Sequence, residues 1–209
     1  MGVGAVGVGR EGARSKRMKQ KKHPAVFLDR DGTIIRQVEL LRAPSQVKFF
    51  SDAARAIRGF NAMGYAVVVV TNQPVVARGI IGPKEVDHIH AVLIKRLARK
   101  GARIDAVYFC PHHPLANVKK YRMVCKCRKP SPGMILQAAK EHNIDLKKSF
   151  FIGDSTQDVL AANRAKVKMI LVGTGHGGKD PWQHNGKPDF RVKNLTGAAR
   201  IIKKGGRIG

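Results

Sequence analysis

No apolar run in the chain approaches the roughly 20 residues that cross a bilayer, so no membrane-spanning helix is expected. Aromatic residues make up only 6%, and no basic stripe is interleaved with them, which removes the stacking platform a dedicated single-strand nucleic-acid binder uses. The chain has 3 cysteines, an odd and small count that argues against a disulfide framework. Acidic residues are also few: 14 Asp+Glu stand against 40 Lys+Arg, for a formal charge of +26. Such a field attracts phosphorylated metabolites, nucleic acid and anionic lipid alike and does not choose among them. Residues 1–9 are small and apolar, but the bases follow them, the reverse of a secretory signal, and Val6 stands where a myristoylation signal needs Ser or Thr. A cytoplasmic protein is therefore expected.

What is present is enough for one core. A chain of 209 residues, 43% hydrophobic, is expected to bury a single domain over 24–204, preceded by a disordered basic arm (1–23) and followed by a short tail (205–209). The arm concentrates Arg10, Arg14, Lys16, Arg17, Lys19, Lys21 and Lys22 against Glu11 alone. Its Gly2-Val3-Gly4-Ala5-Val6-Gly7 matches a dinucleotide fingerprint in letters only, since no strand precedes it.

Strands and helices then alternate. Strands are expected near Ala25–Asp29, Tyr65–Thr71, Ile104–Cys110, Ser149–Gly153 and Lys168–Val172. Helices are expected over Asp52–Met63, capped by Ser51 with Ala53, Ala54, Ile57, Phe60 and Ala62 inward, from Pro83 to near Gly101, and over Met134–His142, Asp158–Ala165 and Leu195–Ile202. Loops are expected at 72–79 and 173–188. The alternation predicts an α/β fold with a doubly wound parallel sheet. Gly173 to Lys179 spells a phosphate-loop pattern, but Asp180-Pro181 follows where a Ser or Thr and a helix are needed, so a solvent loop is expected, with His176, Trp182 and His184 at a rim.

The chemistry begins at Asp29-Arg30-Asp31-Gly32-Thr33, which closes the first strand. On its own it is either a metal and nucleophile site or a solvated turn. In a parallel sheet, however, the ends of all strands meet at one edge. Asp29, Asp31, Thr71, Asp154 and Asp158 should then converge, with Arg128 and Lys129 nearby, on a site for a hard cation and a phosphate.

Asp29-Arg30-Asp31-Gly32-Thr33, Thr71-Asn72-Gln73, Lys129, and Gly153-Asp154-Ser155 with Asp158 together resemble the four motifs of the haloacid dehalogenase superfamily of phosphohydrolases. The resemblance implies that Asp29 is a nucleophile forming an aspartyl-phosphate and that Asp31 is the general acid and later the base. It further implies that Thr71 contacts the phosphoryl oxygens and Lys129 neutralises charge. Mg²⁺ would be held by Asp29, the backbone of Asp31 and Asp154, with Asp158 supporting from behind.

All three cysteines fall in Cys110-Pro111-His112-His113-Pro114 and Cys125-Lys126-Cys127-Arg128-Lys129-Pro130. Cys110, Cys125 and Cys127 with His112 make a complete tetrahedral set for a structural Zn²⁺, His113 being the second choice; a disulfide or free thiols are the alternatives. This loop, 110–128, is similar to the zinc loop of the D-glycero-D-manno-heptose 1,7-bisphosphate phosphatases. The related histidinol-phosphate phosphatases carry a shorter one. The resemblance implies a capless enzyme, here expected to be monomeric, that removes the 7-phosphate of that small phosphorylated sugar, with Arg128 and Asn72 contacting substrate. Histidinol phosphate is the rival substrate, and a 3′-phosphorylated nucleic acid, engaged through the basic arm, is the rival from another class. Pro74-Val75-Val76 departs from the family's Ser-Gly-Ile, and the arm is no family feature.

Overall fold

The residue run that starts the sheet, Ala25–Leu28, is wholly buried and forms β1. The computed structural model describes residues 21–206; most of the expected arm and the end of the tail lie outside the described residues. After β1 come α1 (Ala53–Ala62), β2 (Ala66–Asn72), α2 (Pro74–Ala77), α3 (Pro83–Ala98), β3 (Ala106–Cys110), α4 (Gly133–Glu141), β4 (Phe150–Gly153), α5 (Thr156–Ala165), β5 (Lys168–Val172), β6 (Phe190–Val192) and α6 (Leu195–Lys203). The six strands form one sheet in the order β3-β2-β1-β4-β5-β6, every pairing parallel. The expected doubly wound α/β fold is the one observed. Register is set at the centre, where Phe27 lies opposite Val68 on one side and Phe151 on the other.

Side chains that alternate along each strand feed two cores. Val26, Leu28, Val67, Val69 and Ile152 pack with α1, α3 and α6, while Ala25, Phe27, Val68, Val70 and Phe151 pack with α4 and α5. A central strand covered on both faces has no polar side, which is why β2 reads Val-Val-Val-Val in sequence. Among the described residues no helix is long and apolar enough to cross a membrane.

The structure differs from the sequence reading at several ends. Ser51 does not cap α1: Asp52 occupies that place, and its Oδ2 accepts from Thr196 N–H (2.9 Å) and Oγ1–H (3.0 Å), tying α1 to α6. Ala62 is exposed and Ala56 is buried in its stead, because a stripe through Ala53, Ile57 and Phe60 continues at spacings of three and four. Helix α5 starts before Asp158, as Ser155 and Asp158 form a reciprocal capping box. The loop after β2 contains the short helix α2. Strand β6 was not expected; at three residues, with only the register Ile170–Phe190 to Val172–Val192 to hold it, it is too short to show a period.

Candidate active site

Because all strands run the same way, residues at their C-terminal ends collect at one edge. Asp29 follows β1, Thr71 and Asn72 end β2, Cys110 ends β3 and Asp154 follows β4. Between them opens a cleft of about 440 Å³, lined among others by Asp29, Asp31, Thr71, Asn72, Arg128, Lys129 and Asp154. Lys129 reaches in from the long loop between β3 and α4; its Nζ lies 2.8 Å from Asp29 Oδ1 and 2.6 Å from Asp158 Oδ1 and donates to Val70 O at 3.1 Å.

Asp29, Asp154 and Asp158 each offer a carboxylate oxygen, all within 4.8 Å of one another, and all three are buried. Burial pushes Asp29 up to about 7, and the charges of Asp158 and Asp31 add to this while Lys129 opposes it. Burial likewise pushes Asp154 up to about 8, with Asp158 and Asp29 adding repulsion. Burial works against the charge on Lys129, but Asp158 and Asp29 outweigh it and hold the ammonium above its ordinary value. One lysine against three crowded carboxylates leaves an excess of negative charge in a dry place. Such an all-oxygen donor set suits a hard divalent cation.

Glycines make the crowding possible. A Cβ on Gly32 (φ 74°) would sit 2.3 Å from Asp154 Oδ2, and one on Gly175 (φ 56°) 2.2 Å from the same atom. The 173–178 loop, expected to be a solvent loop at the rim, is exposed or half-buried throughout and is also built against the site. His176 N–H donates to Asp154 Oδ2 (2.7 Å), Gly178 N–H to Asp154 O (2.7 Å) and Thr174 Oγ1–H to Gly32 O (2.7 Å). His176 and Trp182 line the cleft with their rings edge-to-face at 6.2 Å; His184 faces elsewhere, its N–H donating to Thr156 Oγ1.

Asp31 stands apart from the carboxylate trio. Its Oδ2 accepts from Arg30 Nε (3.1 Å), Arg30 Nη2 (2.8 Å) and Gln73 Nε2 (3.1 Å), while its Oδ1 is buried without a hydrogen-bond partner. Gln73 also donates to Thr71 Oγ1 at 2.9 Å and accepts from Arg30 Nη2 at 2.8 Å. Arg30, Gln73 and Ser155 were not singled out from sequence; only their place inside motifs could have marked them.

The sulfur cluster lies beside the cleft. Cys110, Cys125 and Cys127 are free thiols with Sγ atoms 3.1 to 3.5 Å apart, too far for a disulfide, and His112 Nδ1 is 3.6 Å from Cys110 Sγ and 3.4 Å from Cys127 Sγ. Hydrogen bonding by Cys110, with Cys125 and His112 adding, depresses Cys127 to about 5 against the opposing effect of burial. Three sulfurs and an imidazole facing one point match a closed tetrahedral metal site. His113 lies outside it, facing the cleft. Next along the chain, Arg128 donates from Nη1 to His112 O (3.1 Å) and lines the cleft. Asn72, expected to meet substrate, uses its amide on both sides of the Lys129 backbone: Oδ1 accepts from Lys129 N–H at 3.0 Å and Nδ2 donates to Lys129 O at 3.1 Å.

A HAD-hydrolase-like family model matches residues 126–198. The D-glycero-β-D-manno-heptose-1,7-bisphosphate 7-phosphatase of Photorhabdus laumondii is 42% identical over 153 residues, 73% of this chain and 81% of that protein. The protein of the same name from Escherichia coli K12 is 40% identical over 185 residues, covering 88% and 96% respectively. Among solved structures, D,D-heptose 1,7-bisphosphate phosphatase from B. bronchiseptica, complexed with magnesium and phosphate, superposes with a TM-score of 0.76 at 31% identity, over 87% of this chain and 98% of that one.

Proposed function

Since the chain belongs to the D-glycero-β-D-manno-heptose-1,7-bisphosphate 7-phosphatase family of HAD hydrolases, we propose that it cleaves the 7-phosphate from the β-anomer of that bisphosphate. The observation that carries this reading is the cleft-lining set of Asp29, Asp31, Lys129 and Asp154 at the sheet edge, in a fold whose 31%-identical neighbour holds magnesium and phosphate.

In this reading an Asp29 carboxylate oxygen attacks phosphorus, an acyl phosphate forms and the bond from phosphorus to the sugar O7 breaks, while Asp31 gives its proton to O7. Water then attacks phosphorus, Asp31 takes a proton from that water, and the bond from phosphorus to Asp29 breaks to release phosphate and restore both carboxyl groups. Lys129 balances the charge on Asp29, and the Thr71 hydroxyl, turned to the cleft, contacts phosphoryl oxygens. Asp29, Asp154 and the backbone carbonyl of Asp31 would hold Mg²⁺, which supplies the charge that phosphoryl transfer requires, with Asp158 tying Lys129 in place behind them. Cys110, His112, Cys125 and Cys127 would hold a structural Zn²⁺. Arg128 meets the substrate from the loop, and Asn72, which also lines the cleft, holds the Lys129 backbone beside it.

The test is steady-state phosphate release with Mg²⁺ from the α and β heptose bisphosphates, histidinol phosphate and a 3′-phosphorylated oligonucleotide. The β-anomer should give the highest kcat/KM; a preference for histidinol phosphate or the oligonucleotide overturns the substrate assignment and leaves the chemistry standing.

Protons and Mg²⁺ should compete at this site. With Asp29 near 7 and Asp154 near 8 in the metal-free protein, Mg²⁺ affinity measured by calorimetry should fall at least about tenfold per unit as pH drops below 7. The linkage to folding has the matching sign. Both pKa values are raised above the ordinary 3.8, so metal-free protein should lose stability as pH rises from about 4 to about 8, and saturating Mg²⁺ should cancel that loss. A pH-independent affinity would remove the buried carboxylates from the binding site.

A further inference from the structure

The buried guanidinium of Arg30 is one of the costliest groups to place in a protein interior, and only a partner of opposite charge justifies it. Arg30 is 1% exposed. The only carboxylate it pairs with among the described residues is that of Asp31, on whose Oδ2 its Nε and Nη2 converge. Its remaining terminal nitrogen, Nη1, meets Nε2 of His90 at 2.9 Å. His90 comes from α3 and is itself 1% exposed in a helix face otherwise made of Val86, Ile89, Leu93 and Leu97. Burial, and then the neighbouring positive charge of Arg30, keep the imidazole from protonating, so Nε2 is an acceptor for Arg30. Its ring is packed edge-on against Phe109 at 5.6 Å, which fixes its orientation.

A histidine within an apolar helix stripe is ordinarily a packing residue. Here the ring's one polar partner is Arg30, its Nδ1 being buried without a hydrogen bond, and Arg30 donates onward to Asp31 Oδ2 and to Gln73 Oε1, with Gln73 holding the same Oδ2 from the other side. Three N–H donors on Oδ2 leave Oδ1 as the one oxygen that can carry a proton, because a proton on Oδ2 would face donors. We propose that His90, acting through Arg30, is a positioning residue that pins Asp31 Oδ2 and so reserves Oδ1 for proton transfer to the leaving oxygen. The inference rests on Asp31 being the general acid.

The prediction concerns leaving groups. Proton transfer matters for a sugar alkoxide, a poor leaving group, and hardly for an activated aryl oxide such as 4-nitrophenolate. His90→Leu, which removes the acceptor and keeps the bulk, should lower kcat/KM, which reports phosphorylation, about 10- to 100-fold on the sugar phosphate and less than about threefold on 4-nitrophenyl phosphate. His90→Gln, which restores an acceptor, should recover most of the loss. Gln73→Leu approaches Oδ2 from the loop and not from α3, and should show the same selectivity even if α3 does not tolerate leucine at 90. Equal losses on both substrates, or none on the sugar phosphate, would make the contact merely structural and overturn the proposal. Asp31→Asn is run beside them and also read on kcat/KM, which reports phosphorylation and not the later attack of water: if it fails to show the leaving-group selectivity, the general-acid reading itself falls, whereas selectivity in Asp31→Asn without it in His90→Leu and Gln73→Leu rejects only the role of His90.

Discussion

Asp29→Asn should abolish phosphate release, with kcat reduced by about 10⁴-fold or more on sugar and aryl phosphates alike, while the protein stays folded. The loss is independent of the leaving group because the substituted atom is the one that would form the bond to phosphorus. The fold should survive for an electrostatic reason. Asp29 is nearly buried, among Asp154 and Asp158, and burial, with the charges of Asp158 and Asp31, raises its pKa to about 7, so the folded protein already disfavours its charge. A neutral amide of the same shape relieves repulsion. Lys129 keeps its 2.6 Å contact to Asp158, so the lysine is not stranded. Steady-state phosphate release together with thermal unfolding checks both halves. A folded Asp29→Asn protein with more than about 1% of wild-type turnover would assign the nucleophile elsewhere, Asp31 being the first alternative.

The sequence shows this site because a parallel sheet turns distance along the chain into proximity. Once β1, β2 and β4 are recognised from their β-branched and aromatic runs, Asp29, Thr71 and Asp154 must share an edge, whatever the loops do. What is hidden depends on side-chain direction. His90 sits next to Ile89 in a stripe that reads as ordinary core, and nothing in the letters says that its ring meets a guanidinium held 60 residues away. Gln73 and Asn72 are adjacent and both polar, yet one fixes Asp31 and the other the Lys129 backbone, a division set by the pleat of the last residues of β2. The 173–178 loop resembles a phosphate loop and reads as a solvent loop only, because the reason for its glycines, the approach of Asp154, lies in another element. The capping box of Ser155 and Asp158 moves the start of α5 ahead of the expected Asp158, because that carboxylate serves the helix end as well as Lys129.

Removal of the zinc proposed for the sulfur cluster should disable the catalytic site from a distance. No covalent link other than the peptide chain joins the cluster to the cleft, but that chain is short: Cys127 is followed at once by Arg128 and Lys129. Lys129 is held at its backbone by Asn72 and at its ammonium by Asp29 and Asp158, so the loop is anchored at both ends, by the cluster and by the sheet edge. Without a cation the three sulfurs, of which Cys125 is only half-buried, sit packed at 3.1 to 3.5 Å, and the rest of the segment is held by a few loop hydrogen bonds and the single bridge of 113 with 122, with Leu115 and Val124 exposed. In small peptides that fold only around the metal, a structural zinc site is worth on the order of 10 kcal/mol, and here that ordering acts on the segment it closes. Chelation, or Cys127→Ser, should therefore raise hydrogen exchange across 110–128 and lower kcat about 100-fold with Mg²⁺ saturating, as expected when a charge-balancing group moves by about 1 Å. Global unfolding should change much less, because one core takes no residue from 110–128 and the other takes only the three cysteines. Protein that contains no transition metal, exchanges slowly over 110–128 and turns over at the full rate would separate the cluster from catalysis and leave it a packing feature of the β3 end.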